Sequence, residues 1–242
     1  MTPPRRIPVL LPALCAAAIL LAACAGGKAA ARKSEADARM RMGVTYLQQG
    51  NLPMAMRELM RASELDPDNA EIDMMLGLAY RARGDGKNAE KHLREAVDKR
   101  PDYGDAHNNL GIVLADRQAW EEAIREFETA AADVRYQTPE WAVYNAAEAY
   151  RAKGDAAKAE ERYRLAIRMN EAYAPAYLGL AALLGKAGRW TEAETLLLKL
   201  VRIVPDYADG WMELGRVYTA MKRPADAEKA FKRVLESEGR RP

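Results

Sequence analysis

A chain of 242 residues with 37 Lys and Arg against 35 Asp and Glu is almost neutral, which excludes the broad basic surface that nucleic-acid binding needs. Its 49% hydrophobic content is enough to fold, but with only 7% aromatic residues it suits stacked helical layers better than a thick globular core. The interspersed Glu, Lys and Arg are those of exposed helix faces.

In chain order, residues 1–23 read as a signal segment: Arg5 and Arg6, an apolar run from Ile7 to Ala22 broken by Pro8 and Pro12, then small residues before Cys24. The run is too short and interrupted for a comfortable membrane span. Leu21-Ala22-Ala23-Cys24 resembles a bacterial lipobox, and the resemblance implies that Cys24 becomes the lipidated first residue after export and cleavage. An ordinary signal peptide cleaved near Cys24, or an uncleaved anchor, are the alternatives. Cys15 would leave with the signal, so a mature chain would hold one thiol and no intramolecular disulfide. Residues 24–35 are small, polar and Gly-containing and are expected to form a flexible tether with a reach of roughly 17–20 Å. Cys24 is followed by Ala25 and Gly26, not by the Asp that marks inner-membrane retention in lipoproteins of Gram-negative bacteria. That resemblance implies a lipid-anchored protein on the periplasmic face of the outer membrane.

From Ala36 onward one pattern recurs, clearest in residues 70–103. Leu76, Gly77 and Tyr80 fall on one face of a first helix, and Ala89, Leu93 and Ala96 on one face of a second. Gly77 and Ala89 are small where two helices must approach closely, and Tyr80 and Leu93 fill the space beside them. Gly84-Asp85-Gly86 ends the first helix, Asp85 or Asn88 caps the second, and Pro101 stops it. A shift of 34 residues toward the N-terminus gives Met42, Gly43, Tyr46, Ala55, Leu59, Ala62 and Pro67; the opposite shift gives Leu110, Gly111, Leu114, Ala123, Phe127 and Ala130. Arg135 then stands where Pro is expected, and Thr138-Pro139 are two extra residues. The register resumes with Ala147, Tyr150, Ala159, Tyr163 and Ala166, then Ala181, Leu184, Ala193, Leu197 and Leu200, and finally Leu214, Gly215, Tyr218, Ala227, Phe231 and Val234.

This pattern resembles the tetratricopeptide repeat. The resemblance implies an all-α, right-handed superhelical solenoid of six helix–turn–helix units at 36–69, 70–103, 104–137, 140–173, 174–207 and 208–241. A solenoid needs polar outer faces at its ends, and Lys229, Lys232, Arg233 and Glu236 are expected to supply one on the last helix.

Reactive groups are scarce. No phosphate loop, nucleophile elbow or His-Glu-x-x-His is present. His92 is expected on the exposed side of a second helix and His107 in a packing slot, neither with a third ligand at metal spacing. Glu121-Glu122 and Glu160-Glu161 read as helix-start charges. The expectation is therefore no enzyme, no cofactor, no metal, no nucleic acid and no small-molecule substrate.

In tetratricopeptide arrays the first helices line a concave groove, and the second, fifth, sixth, ninth and twelfth residues of each unit point into it. By that resemblance the groove here holds Met40, Val44 and Leu47, then Met74, Met75 and Leu78, then Asn108, Asn109 and Ile112, then Trp141, Tyr144 and Asn145. Such an apolar, Met-rich strip suits an amphipathic helix of a protein partner, and binding is expected to favour the N-terminal half.

A lipobox, a tether and six repeats, with Tyr136, Pro139, Tyr144 and Asn145 at the third junction, are similar to the pilotin lipoproteins of type IV pilus systems, the PilF/PilW group. Ala146-Ala147-Glu148 departs from that group's usual Leu-Gly. The resemblance implies a partner, the secretin subunit, whose assembly or localisation the protein promotes. A general protein scaffold of another envelope or secretion machine is the alternative.

Overall fold

The computed structural model describes residues 10–238, with side-chain surroundings for residues 27–237. Cys24 and the signal segment lie outside the residues whose side chains are described. Among the described residues there are twelve α-helices and no strands. They run α1 (Leu10–Gln48), α2 (Leu52–Leu65), α3 (Ala70–Ala82), α4 (Gly86–Lys99), α5 (Gly104–Asp116), α6 (Trp120–Ala132), α7 (Pro139–Lys153), α8 (Ala156–Met169), α9 (Ala174–Lys186), α10 (Trp190–Ile203), α11 (Ala208–Ala220) and α12 (Pro224–Glu238). The stretch 24–35, expected as a flexible tether, is helical and continuous with α1. Among the described residues no helix is long and apolar enough to cross a membrane.

The helices pair as antiparallel hairpins in two compact units, divided between Lys99 and Arg100. In the first unit α1 packs on α2 and α3 on α4, and α3 also neighbours α1 and α2. Met40, Met56, Leu59, Ile72 and Leu76 form its apolar centre. In the second unit the hairpins are α5–α6, α7–α8, α9–α10 and α11–α12, and the odd-numbered helices neighbour one another in sequence order.

The small-residue slots explain why the hairpins close. A Cβ placed on Gly77 would lie 2.6 Å from Leu93 Cγ, and one on Gly111 2.6 Å from the Phe127 ring. Any side chain there holds the helices apart. The turn inside each hairpin repeats as well: Gly50, Gly84, Gly154 and Gly188 have positive φ, and so do Gln118 (61°) and Lys222 (57°) in the corresponding turns of their hairpins. Asp85, not Asn88, caps α4, its carboxylate accepting from Asn88 N at 3.2 Å.

The two inserted residues at the third junction let Pro139 open α7, while Tyr136 turns inward against Ala130 and Ala142. Asp133 fastens this turn: one carboxylate oxygen accepts from Gly104 N at 3.0 Å and the other from Arg135 N at 3.0 Å. Those two backbone donors hold the Asp133 carboxyl below its usual range. The polar outer face expected on α12 is incomplete, because Phe231 (36% exposed) and Leu235 (71%) stand among its lysines.

Candidate functional site

Each first helix is covered on one side by its hairpin partner and on another by a neighbouring helix, so only part of its apolar residues reach solvent. In the first unit Met40 and Met74 are buried, and neither offers a surface to a partner. Val44, Leu47, Met75 and Leu78 are half-buried. Of these, Leu47 and Met75 rest on the apolar centre. The N-terminal strip therefore contributes mostly packing, with a thin exposed edge.

The second unit gathers the more open residues. Trp141, at the start of α7, is 50% exposed, and its ring stacks on Tyr173 at 6.2 Å between centroids. Tyr144, one turn further along the same face, meets Tyr173 edge-on at 5.6 Å and Tyr163 at 6.0 Å. Asn145 donates from Nδ2 to Asn108 Oδ1 at 2.9 Å, tying α7 to α5 through two amides. Asn108 is thereby buried and occupied. Asn109 is half-buried and donates to Asp105 O at 2.8 Å. Ile112, with Trp120, Asn145, Glu148 and Arg151, lines an open pocket of about 300 Å³ between α5, α6 and α7.

Glu148 and Arg151 were not singled out from the sequence, although they occupy the ninth and twelfth positions of the fourth unit. Arg151 donates to one oxygen of Glu148 and the Tyr163 hydroxyl donates to the other. The hydrogen bond with Glu148 raises the Arg151 pKa, and burial raises that of Tyr163. Burial, and then the Glu148 charge, likewise push up the Tyr144 phenol. All three groups stay protonated at neutral pH; the buried Tyr163 spends its hydroxyl on Glu148, while the partly exposed Arg151 and Tyr144 leave hydrogen-bond donors beside exposed aromatic surface. The arrangement is suited to gripping an apolar or aromatic side chain of a protein partner while pairing its backbone carbonyls.

One histidine lies where it was expected and the other does not. His107 is buried as expected: Nδ1 lies 2.6 Å from Glu126 Oε2 and Nε2 lies 2.9 Å from Pro101 O. Two accepting oxygens are matched only by the doubly protonated ring. Burial works against the charge, yet the bond to Glu126, the Pro101 carbonyl and the Glu126 charge outweigh it, and the pKa is raised. A raised folded pKa gives stabilisation that is complete below the unfolded value of about 6.5 and disappears as pH rises through the folded value. The urea midpoint of the wild type is therefore expected to fall as pH climbs from about 6.5. The difference between wild type and His107→Gln, measured as midpoint against pH, should shrink over the same interval. His92 is not on an exposed side: its ring stacks on Tyr80, at 5.2 Å and 7°, and faces Asp73 and Glu95.

Family models for the tetratricopeptide repeat match residues 36–69, 74–138, 150–212 and 208–239. Among solved structures, PilF of Pseudomonas aeruginosa superposes with a TM-score of 0.73 at 23% identity, over 83% of this chain and 90% of that one. PilW, described as a widely conserved type IV pilus biogenesis factor, gives 0.72 at 21% identity, over 85% of this chain and 94% of that one. At these identities the likeness concerns the fold. The cytochrome c-type biogenesis protein CycH of Pseudomonas aeruginosa is 45% identical over 51 residues, 21% of this chain and 12% of that protein. The match thus spans about an eighth of the length of that relative.

Proposed function

The chain belongs to the tetratricopeptide-repeat family, and from that premise we propose that it is a protein-binding lipoprotein of the pilotin type. It acts at the periplasmic face of the outer membrane, held by a lipid on Cys24. Its partner is a secretin subunit, which it binds through the odd-numbered helices while the subunit is being assembled or localised for type IV pili. The observation that carries the binding role is the exposed Trp141, stacked on Tyr173, which Tyr144 in turn meets edge-on beside the Asn108–Asn145 pair. Aromatic anchors ringed by satisfied polar groups are what interface hot spots are made of. The pilus setting is supported by the lipobox and by similarity of fold to PilF and PilW over more than four-fifths of the chain. The short match to CycH favours a second reading, a scaffold of another envelope machine that stays in the finished assembly.

The test is a pull-down of the intact protein in detergent with secretin as prey, comparing wild type with Trp141→Ala and with the pair Met75→Glu and Leu78→Glu. Trp141→Ala is expected to weaken secretin capture about 30-fold, the loss of one hot-spot residue worth about 2 kcal/mol. The glutamate pair is expected to weaken it less, since Met75 rests largely on the apolar centre and only an edge of the two side chains reaches solvent. No secretin captured by the wild type, with other envelope components retained, would replace the pilotin reading by the scaffold reading.

A further inference from the structure

Asp73 stands beside Met74 on α3, yet its carboxylate is only 4% exposed, an unfavourable place for a lone charge. Lys99, at the end of α4, donates from Nζ to Asp73 Oδ2 and also to Pro67 O at 2.5 Å. That interaction occupies one carboxylate oxygen. The other, Oδ1, lies 3.5 Å from His92 Nδ1 on the facing helix. One turn along α4, Glu95 brings Oε2 to 3.1 Å from the same nitrogen. His92 Nδ1 is buried and has no well-formed hydrogen bond, although two carboxylates face it and stacking on Tyr80 holds its ring in place.

Three donor atoms, one imidazole nitrogen and two carboxylate oxygens, thus lie within 4.8 Å of one another. A tetrahedral ion with bonds of about 2.0–2.2 Å holds its donors roughly 3.3–3.5 Å apart. The two nitrogen–oxygen separations, 3.1 and 3.5 Å, bracket that value. Carboxylates and a His projecting inward from facing helices are also how bundle interiors build metal sites, with the Glu three residues before the His where here it follows. We propose that Asp73, His92 and Glu95 bind one divalent transition-metal ion of the zinc class.

The nitrogen donor selects against Mg²⁺ and Ca²⁺, which prefer all-oxygen shells. Water completes the fourth position, because His92 and Glu95 are only half-buried and leave a path from solvent. Asp73 and Glu95 carry two negative charges, Lys99 returns one positive charge, and a neutral His92 is the ligand form. Net charge at the site is therefore minus one, which supports binding weaker than that of a thiolate site. The ion joins α3 to α4 beside Met75, and so stiffens the helix whose exposed edge includes Met75 and Leu78. A proton on His92 shared between the two carboxylates is the competing occupant of the same space.

The experiment is calorimetric titration of the intact, chelator-treated protein with Zn²⁺ alone, together with thermal melts. Wild type is expected to bind one equivalent at this site, and at a hundred times Kd its Tm is expected to rise by about 5–10 °C and fall back with EDTA. His92→Gln, which keeps the ring's size and polarity approximately, should lose at least about 10–100-fold in affinity and the Tm response. Glu95→Gln, on the solvent side, provides the same comparison if His92→Gln does not fold. No heat and no Tm response in the wild type, as a shared proton predicts, overturns the proposal. So does zinc binding that is unchanged in a folded His92→Gln or Glu95→Gln variant.

Discussion

Tyr163→Ala is expected to destabilise the second unit by about 3–5 kcal/mol, the cost of emptying a fully buried aromatic site. Tyr163 is completely buried, and its ring lies where a Cβ on Gly179 would come within 2.5 Å. It therefore fills the space that the absence of a side chain on α9 leaves open. The substitution also removes the hydroxyl that donates to Glu148 and the ring against which Tyr144 rests. Thermal unfolding should show a Tm lower by about 10 °C, from roughly 2–4 °C per kcal/mol for a chain of this size. Tyr163→Phe separates the two contributions. It keeps the ring and loses one hydrogen bond, so a loss of about 1–2 kcal/mol is expected. If Tyr163→Ala melted within a degree or two of wild type, α9 would have to collapse onto α8, and the tight packing assigned to Gly179 would be wrong.

Gly77→Val is expected to cost about 3 kcal/mol in the first unit, the upper part of the range for overpacking. Two effects oppose each other. A glycine inside a helix is less favourable than alanine by about 0.5–1 kcal/mol, so any side chain recovers something from the backbone. Against that, the new Cβ would sit 2.6 Å from Leu93 Cγ and 3.3 Å from the Ala89 carbonyl oxygen. Leu93 is itself fully buried and has nowhere to move, so the steric effect wins. The diagnostic measurement is a double-mutant cycle in urea. Leu93→Ala alone should cost about 2–5 kcal/mol, while Gly77→Val combined with Leu93→Ala should cost clearly less than the sum, because the valine occupies part of the cavity. Strict additivity would show that the two residues do not share space.

The slots Gly77, Leu93, Gly111 and Phe127 were legible in the sequence because their chemistry is forced: a close helix pair needs a small residue facing a large one, and the pair recurs every 34 residues. Exposure within the first helices was not legible. Met40 and Val44 are both apolar and both sit on predicted lining positions, yet Met40 is buried and Val44 half-buried. A helix covered from two directions carries apolar residues on two faces, and a 3.6-residue period cannot tell which face meets a neighbour and which meets solvent. Asp73 carries no sequence signal of its role, since an acid in the first turn of a helix normally needs no partner beyond the helix dipole. Its proximity to His92 exists only after α4 folds back on α3, nineteen residues along the chain. Glu148 and Arg151 occupy lining positions by the positional rule, but a charged residue on a helix surface has no sequence mark that separates a binding position from an ordinary solvated one.

The turn that joins α6 to α7 separates two properties that usually travel together, exposure to solvent and vulnerability to proteases. Val134 is 97% exposed and Arg135 presents a trypsin-type side chain. A protease, however, must draw several residues into an extended strand, and here that requires releasing Asp133 from two backbone amides and Tyr136 from its apolar seat. Cutting at this site is thus governed by the free energy of local opening, not by how visible the loop is. The longest connection between hairpins is in that sense a clasp, and the repeat array can carry its inserted residues without acquiring a hinge.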